Sequence, residues 1–416
     1  MVLVLEPETN KSKIMNAINQ LIIGSFIFAI SACTNTSPEK PRTVEPVHPN
    51  AKPTVLVNDQ TGKRKIKLAI LLDTSGSMDG LIEQAKSQLW KIVTQLAKTK
   101  EKDGSNPEIE LALYEYGNDN IPMTADYIKQ VSGFTSELDE ISEKLFALQT
   151  YGGMEFCGSA IKTSLRDLKW SNNKNDLQLL YIAGNEEFNQ GSIPFKDACL
   201  LAKEKNVIVN TIYCGDYEEG KETFWKTGAD LANGMYFNID QDAQVVYYDS
   251  PYDSKISQLN VQLNDTYIPY GTLGIEKKVK QVKEDENSEL LSSAVATDRC
   301  ISKSSKAYSN TSWDMVDAYK NNKSFTIKDI KKQELPKELK GLSEKEIKAY
   351  ILKKDSEREK IKKQMNQLNQ KRESYIAKKQ KEDAKNGNKS NLESALTQSV
   401  IKQVKRKSFV ISKDIN

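Results

Sequence analysis

One short stretch groups oxygen donors in a way that suits a hard cation. Asp73, Ser75 and Ser77 lie two residues apart in Asp73-Thr74-Ser75-Gly76-Ser77-Met78. One carboxylate and two hydroxyls at that spacing can converge on an ion while water fills its remaining positions. Such donors suit Mg2+, with Mn2+ or Ca2+ as alternatives. Acid–base and nucleophilic chemistry find less support. The 416 residues include a single histidine, His48, so any Ser-His-Asp triad, Cys-His dyad or multi-histidine zinc site would have to be built on it. His48 falls in residues 34–63, a stretch with five prolines and no apolar periodicity that reads as a disordered tether. No G-x-x-x-x-G-K-[ST] loop occurs, since Gly215 to Lys221 has the glycines and lysine but is followed by Glu222, and there is no dinucleotide glycine fingerprint or C-x-x-C pair. An enzyme is not expected.

The elements around the donors predict how they are held. Ile66 to Leu72 is almost continuously apolar, as expected of a strand covered on both faces. After the donors, Leu81, Ala85, Leu89, Ile92, Val93 and Leu96 recur at helical spacing. Asp73 therefore sits at the carboxyl end of a strand, where open α/β sheets place their ligands. Further on, residues 109–116 and 127–131 read as a hairpin and 138–148 as a helix. Residues 179–183 and 207–213 read as buried strands flanking a helix with Cys199, and 235–239 as a last strand. This alternation predicts an α/β fold with a doubly wound, mostly parallel sheet.

Asp-x-Ser-x-Ser after an apolar strand resembles the metal-ion-dependent adhesion site of von Willebrand factor type A domains, and the resemblance covers residues 64–245. It implies a Rossmann-like sheet and a divalent cation through which a protein partner docks by offering a carboxylate. Two loops depart from the family pattern. Where a threonine normally follows a Gly-Gly pair, this chain has Gly152-Gly153-Met154-Glu155, which puts Glu155 in the threonine's place, either as a ligand or as a cap on its own helix. Where an aspartate normally follows the fourth strand, the chain has Gly184, with Glu186 two residues on, either reaching the ion or shaping the rim. Cys157 and Cys214 both fall near this face and are the expected disulfide, with Cys199 competing.

Outside that domain the chain divides by charge. Residues 321–416 carry a net +13 and residues 1–320 a net −10. The apolar run Leu21–Ala32, followed by Cys33, resembles a bacterial lipoprotein signal over residues 1–33, with translation starting at Met1 or Met15. It implies acylation of Cys33 and, because Thr34 rather than aspartate follows, an outer-membrane anchor. Residues 246–330 read as a helical segment wrapping back on the domain. Residues 331–416 read as a basic helical hairpin with a coiled-coil seam, opened by Ser343 and Glu346 as a capping box and interrupted by Lys354, Arg358 and Arg372. The hairpin is expected to project as an arm, folding on itself or self-associating. The overall expectation is a cation-dependent adhesion or protein-binding role in the cell envelope, with no nucleic-acid partner. The alternatives are a metal-independent scaffold and an adaptor for an ATPase machine.

Overall fold

The computed structural model describes residues 63–239, 248–385 and 392–411, all within one unit, Thr61–Asn416. Cys33, the signal sequence and the tether up to residue 62 lie outside the described residues. Among the described residues no helix is long and apolar enough to cross a membrane.

Six strands form the main sheet: β1 (Lys65–Asp73), β3 (Glu108–Tyr116), β4 (Ile128–Thr135), β5 (Leu177–Gly184), β6 (Ile208–Cys214) and β7 (Tyr236–Ile239). Their order is β4-β3-β1-β5-β6-β7, parallel throughout except for the antiparallel edge strand β4. The apolar run of β1 is central because both of its faces are covered. Ile66, Leu68, Ile70 and Leu72 pack into one core, with α1 (Ile82–Leu96) and α2 (Leu138–Phe146), whereas Ala69 and Leu71 pack into the other. That second core is closed by α3 (Cys157–Asp167), α4 (Phe195–Glu204) and α6 (Trp225–Leu231), with α5 (Tyr217–Glu222) at its margin.

Beyond β7 come α7 (Asp253–Asn264), α8 (Gly274–Leu291), α9 (Ser293–Ser304), α10 (Met315–Asn321), α11 (Glu344–Lys385) and α12 (Leu392–Arg406). The hairpin expected over 331–416 is opened out. Helix α11 packs on α7, α9 and α10, and α12 packs on α1 and β7. Leu396, Val400, Val404 and Phe409 of this last segment enter the α1-side core. A two-residue strand, β8 (Val410–Ile411), then pairs with β2 (Thr99–Lys100). The chain's last described helix thus covers the far half of the sheet, and residues 248–385 are inserted between that helix and the last strand. The boundary expected at 245 separates the strands from a helix that buries them.

The charged interruptions of the α11 seam have a physical reason. Arg358 is buried and donates to Asp314 at 2.8 Å, to Asp317 at 2.9 Å and to the Thr266 carbonyl at 2.9 Å, with its guanidinium 3.9 Å from the Tyr267 ring centre. Arg372 donates to Asp253 and Asp298, both at 2.9 Å. These are ion pairs to α7, α9 and the start of α10, and an apolar partner helix would have left them unpaired. The capping box at Ser343 forms as read, with the Ser343 amide donating to Glu346 at 2.8 Å.

A third buried network joins the insertion to the sheet domain. Arg299 donates to Asp139 of α2 at 2.7 Å and to Asp285 of α8 at 2.8 Å, and Lys303 donates to Asp285 at 2.6 Å. Burial raises the Asp285 pKa, but Lys303 and Arg299 outweigh it and hold the carboxyl well below its ordinary value. A depressed folded-state pKa contributes stability that is present above the unfolded value, near 4, and lost as pH falls through the folded one. Thermal melting of the native protein is therefore expected to lose stability below about pH 4. In Asp285→Asn the melting temperature should be lower at pH 7, and that acid loss should be smaller.

The expected Cys157–Cys214 disulfide is not formed. All four described cysteines, Cys157, Cys199, Cys214 and Cys300, are buried free thiols, and burial raises the pKa of each. The reason is the sheet itself: Cys157 packs in the core on one face and Cys214 in the core on the other.

Candidate metal centre

The carboxyl ends of β1, β3 and β5 lie side by side, with Asp73 opposite Tyr116 and Leu72 opposite Ala183. Three turns meet there. The Thr74 amide donates to the Tyr116 carbonyl and the Tyr151 amide to the Thr74 carbonyl, both at 2.9 Å. Buried Asn118 donates to the carbonyls of Thr74 at 3.3 Å and Gln149 at 3.1 Å, tying the turns together.

Asp73 is fully buried; its Oδ1 accepts the Ser75 amide at 2.8 Å, and its Oδ2 has no hydrogen-bond partner. The Ser75 and Ser77 hydroxyls are 2.9 Å apart, and Ser77 donates onward to Asn185 Oδ1 at 2.9 Å. Gly117, at φ +77°, fixes how close the groups come. A Cβ there would lie 2.7 Å from Asp73 Oδ1, 3.0 Å from Glu155 Cγ and 3.5 Å from Ser75 Cβ. Asp73, Ser75 and Glu155 therefore crowd one point that only glycine leaves open.

Glu155 is 5% exposed. Burial pushes its pKa up to about 7; a hydrogen bond from Ser75 opposes the shift, and the charges of Glu186 and Asp119 add to it. Burial likewise pushes Asp73 up to about 8, opposed by the Ser75 amide and assisted by the Glu155 charge. The N-cap of α3 is Phe156, whose side chain makes no capping hydrogen bond, and Glu155 lies against Ser75 and the Gly117 turn. Glu186 lies at the rim: its side chain accepts from Gln190 at 3.4 Å and its carbonyl from Trp225 at 2.7 Å.

Two buried carboxylates and two hydroxyls, with one carboxylate oxygen unpartnered, form an oxygen-only donor set that fits a hard divalent ion. Asp73, Ser75, Ser77 and Glu155 would hold it. Among the described residues no group of three or more His, Cys, Asp and Glu side chains forms a metal cluster, so the hydroxyls are required as donors.

Gly184 explains the missing carboxylate. A Cβ at this position would meet Tyr116 Oη at 2.6 Å and Asp73 Oδ2 at 3.0 Å, because the Tyr116 hydroxyl, donating to the Ala183 carbonyl at 2.9 Å, already fills the space. Gly184→Asp is therefore expected to destabilise the fold by about 1–3 kcal/mol through overpacking and to leave Mn2+ affinity, read by calorimetry, no tighter. Sequence reasoning missed Tyr116, Gly117, Asn118 and Asn185. Their signal was only position, at or just past the ends of the strands flanking β1.

Residues 67–247 match the family model of the von Willebrand factor type A domain. No curated protein matches the chain. Solved structures similar to it include mussel byssus proximal thread matrix protein 1 with a zinc-occupied MIDAS motif, at 12% identity and a TM-score of 0.33, covering 43% of each chain. The SpRpn10 VWA domain is 18% identical with a TM-score of 0.32, covering 43% of this chain and 90% of its own. An aerotolerance-related membrane protein from Bacteroides fragilis is 18% identical with a TM-score of 0.29, covering 42% of this chain and 92% of its own. The match thus spans under half the length of the mussel protein. From the family match and the sheet order together, residues 67–247 are a von Willebrand factor type A domain.

Proposed function

We propose that this chain is a lipid-anchored envelope protein that binds another macromolecule through a divalent cation at the end of β1, without catalysing a reaction. The observation that carries the reading is the fully buried Asp73, whose Oδ1 side meets Ser75 and Glu155 around Gly117 while its Oδ2, on the Gly184 side, has no hydrogen-bond partner. An unpaired buried carboxylate oxygen is costly, and a bound ion would satisfy it. The envelope address is supported by Leu21–Ala32 followed by Cys33, with acylation providing the membrane attachment.

A ligand that binds only the folded state stabilises it by about 2.7 kcal/mol at a hundredfold excess over Kd. Millimolar Mg2+ or Mn2+ is therefore expected to raise the melting temperature of the native protein by several degrees, and to leave Asp73→Ala unmoved. An unchanged melting temperature for the native protein in both metals would sink the cation reading.

A further inference from the structure

We infer that the docking face around this centre selects a cationic partner, a protein segment presenting lysine or arginine side chains, because Glu155 supplies from within the chain the carboxylate that a partner would otherwise bring. The inference rests on the cation reading above and adds the partner's chemistry.

The charge balance at the centre comes first. Asp73 and Glu155 both face the point left open by Gly117, and together they neutralise a divalent ion. A partner's carboxylate would thus approach an ion that has no net charge left to offer. It would also approach Asp119 and Glu186, whose charges already raise Glu155. The Asp73 carboxylate is fully buried and its second oxygen, Oδ2, has no hydrogen-bond partner, which independently marks this carboxylate as one that awaits a ligand.

The surrounding surface has the same sign. Asp73 and the five segments 74–81, 117–127, 149–156, 185–194 and 215–219 contain ten Asp and Glu and no Lys, Arg or His, in a chain with 60 Lys and Arg; one of the ten, Glu218, is paired with Lys221 just past the last segment. Such a one-signed face attracts cations over a Debye length, about 8 Å at physiological salt, and repels carboxylates and anionic headgroups alike. The same segments expose large apolar side chains: Tyr151 is 58% exposed, Met154 49% and Met123 65%. An aromatic ring and thioethers beside acidic groups suit the aliphatic stem and charged end of lysine or arginine.

The test uses the full chain with two labelled probes, decalysine and decaglutamate, read by fluorescence anisotropy in Mg2+, alongside calorimetric titration with Mn2+. The titration of native protein and Asp73→Ala tests the cation reading. The inference expects decalysine to bind the native protein, weakening with salt, and decaglutamate not to bind. Neutralising two rim charges that do not act on Asp73 or Glu155, in Asp126→Asn/Glu187→Gln, should weaken decalysine at least tenfold while Mn2+ affinity holds. Glu155→Thr, with Glu155→Gln as the variant of matched volume, should weaken Mn2+ at least tenfold. Decaglutamate binding to the native protein, decalysine binding indifferent to the rim variant, or Mn2+ affinity unchanged in both Glu155 variants would each overturn it. If native protein takes up no Mn2+ yet discriminates the peptides as stated, the cation reading fails and the charge preference stands.

Discussion

A chain ending at residue 391 is expected to lose the cooperative fold of its type A domain, although the family match ends at residue 247. The removed segment contains Leu396, Val400, Val404 and Phe409, all at most 2% exposed and all in the core that includes β1, α1 and β7 residues. Burying one large apolar side chain contributes about 1.5–3 kcal/mol. Four such side chains together rival the whole stability of a typical domain, about 5–15 kcal/mol. Polar contacts go with them. Ser399 lies 3.2 Å from the Tyr181 hydroxyl, and Gln403 exchanges hydrogen bonds with Asn210 at 2.6 and 3.3 Å. Tyr181 and Asn210 are themselves fully buried, so the truncation would open their polar groups at a torn apolar face. Circular dichroism should show no sigmoidal thermal transition for the shortened chain, and limited proteolysis should cut within β5 to β7. A cooperative melt within a few degrees of the full chain would show that α12 only decorates the sheet. Val404→Asp is the single-site version and should unfold in the same direction by placing an unpaired carboxylate in that core.

What the sequence made legible follows from how local each signal is. The apolar run of β1, the helical spacing of α1 and the Asp73-Ser75-Ser77 spacing each lie within one element and its turn, and each is found where it was read. A helical hairpin over 331–416 was equally legible, but a helical pattern says only that a face is buried, not what buries it. The partner of α12 proved to be α1 and β7 rather than α11. Cys157 and Cys214 failed as a pair because their positions near strand ends do not say which face of the sheet each side chain takes. Glu155 was placed by loop counting alone; its closeness to Asp73 depends on the Gly117 turn some forty residues away from both. Tyr116 was read as one more strand residue, yet its hydroxyl decides that position 184 has no side chain.

The same limit applies most strongly to Arg358, which a seam pattern marks as a defect and the fold uses as a clamp. Arg358→Met is expected to cost about 3–5 kcal/mol, because it leaves Asp314 and Asp317 buried without the guanidinium that compensates them. Burial already raises the Asp314 pKa, with the Arg358 charge pulling it back; without that charge the value must climb further. A carboxylic acid whose folded-state pKa is raised contributes stability at low pH and loses it as pH rises through that value. The variant should therefore recover part of its deficit between pH 7.5 and 5.5, a range in which Asp285 has no stability to lose. Urea denaturation at both pH values measures this. Adding Asp314→Asn and Asp317→Asn to Arg358→Met removes the stranded charges, so the triple variant should be more stable than Arg358→Met alone, a non-additivity of the kind contacting groups show. Should Arg358→Met cost less than about 1 kcal/mol at pH 7.5, the pair would be behaving as a surface salt bridge. Helices α7 to α10 would then be held to α11 by Ile347, Ile351 and Met365 and not by the buried charges.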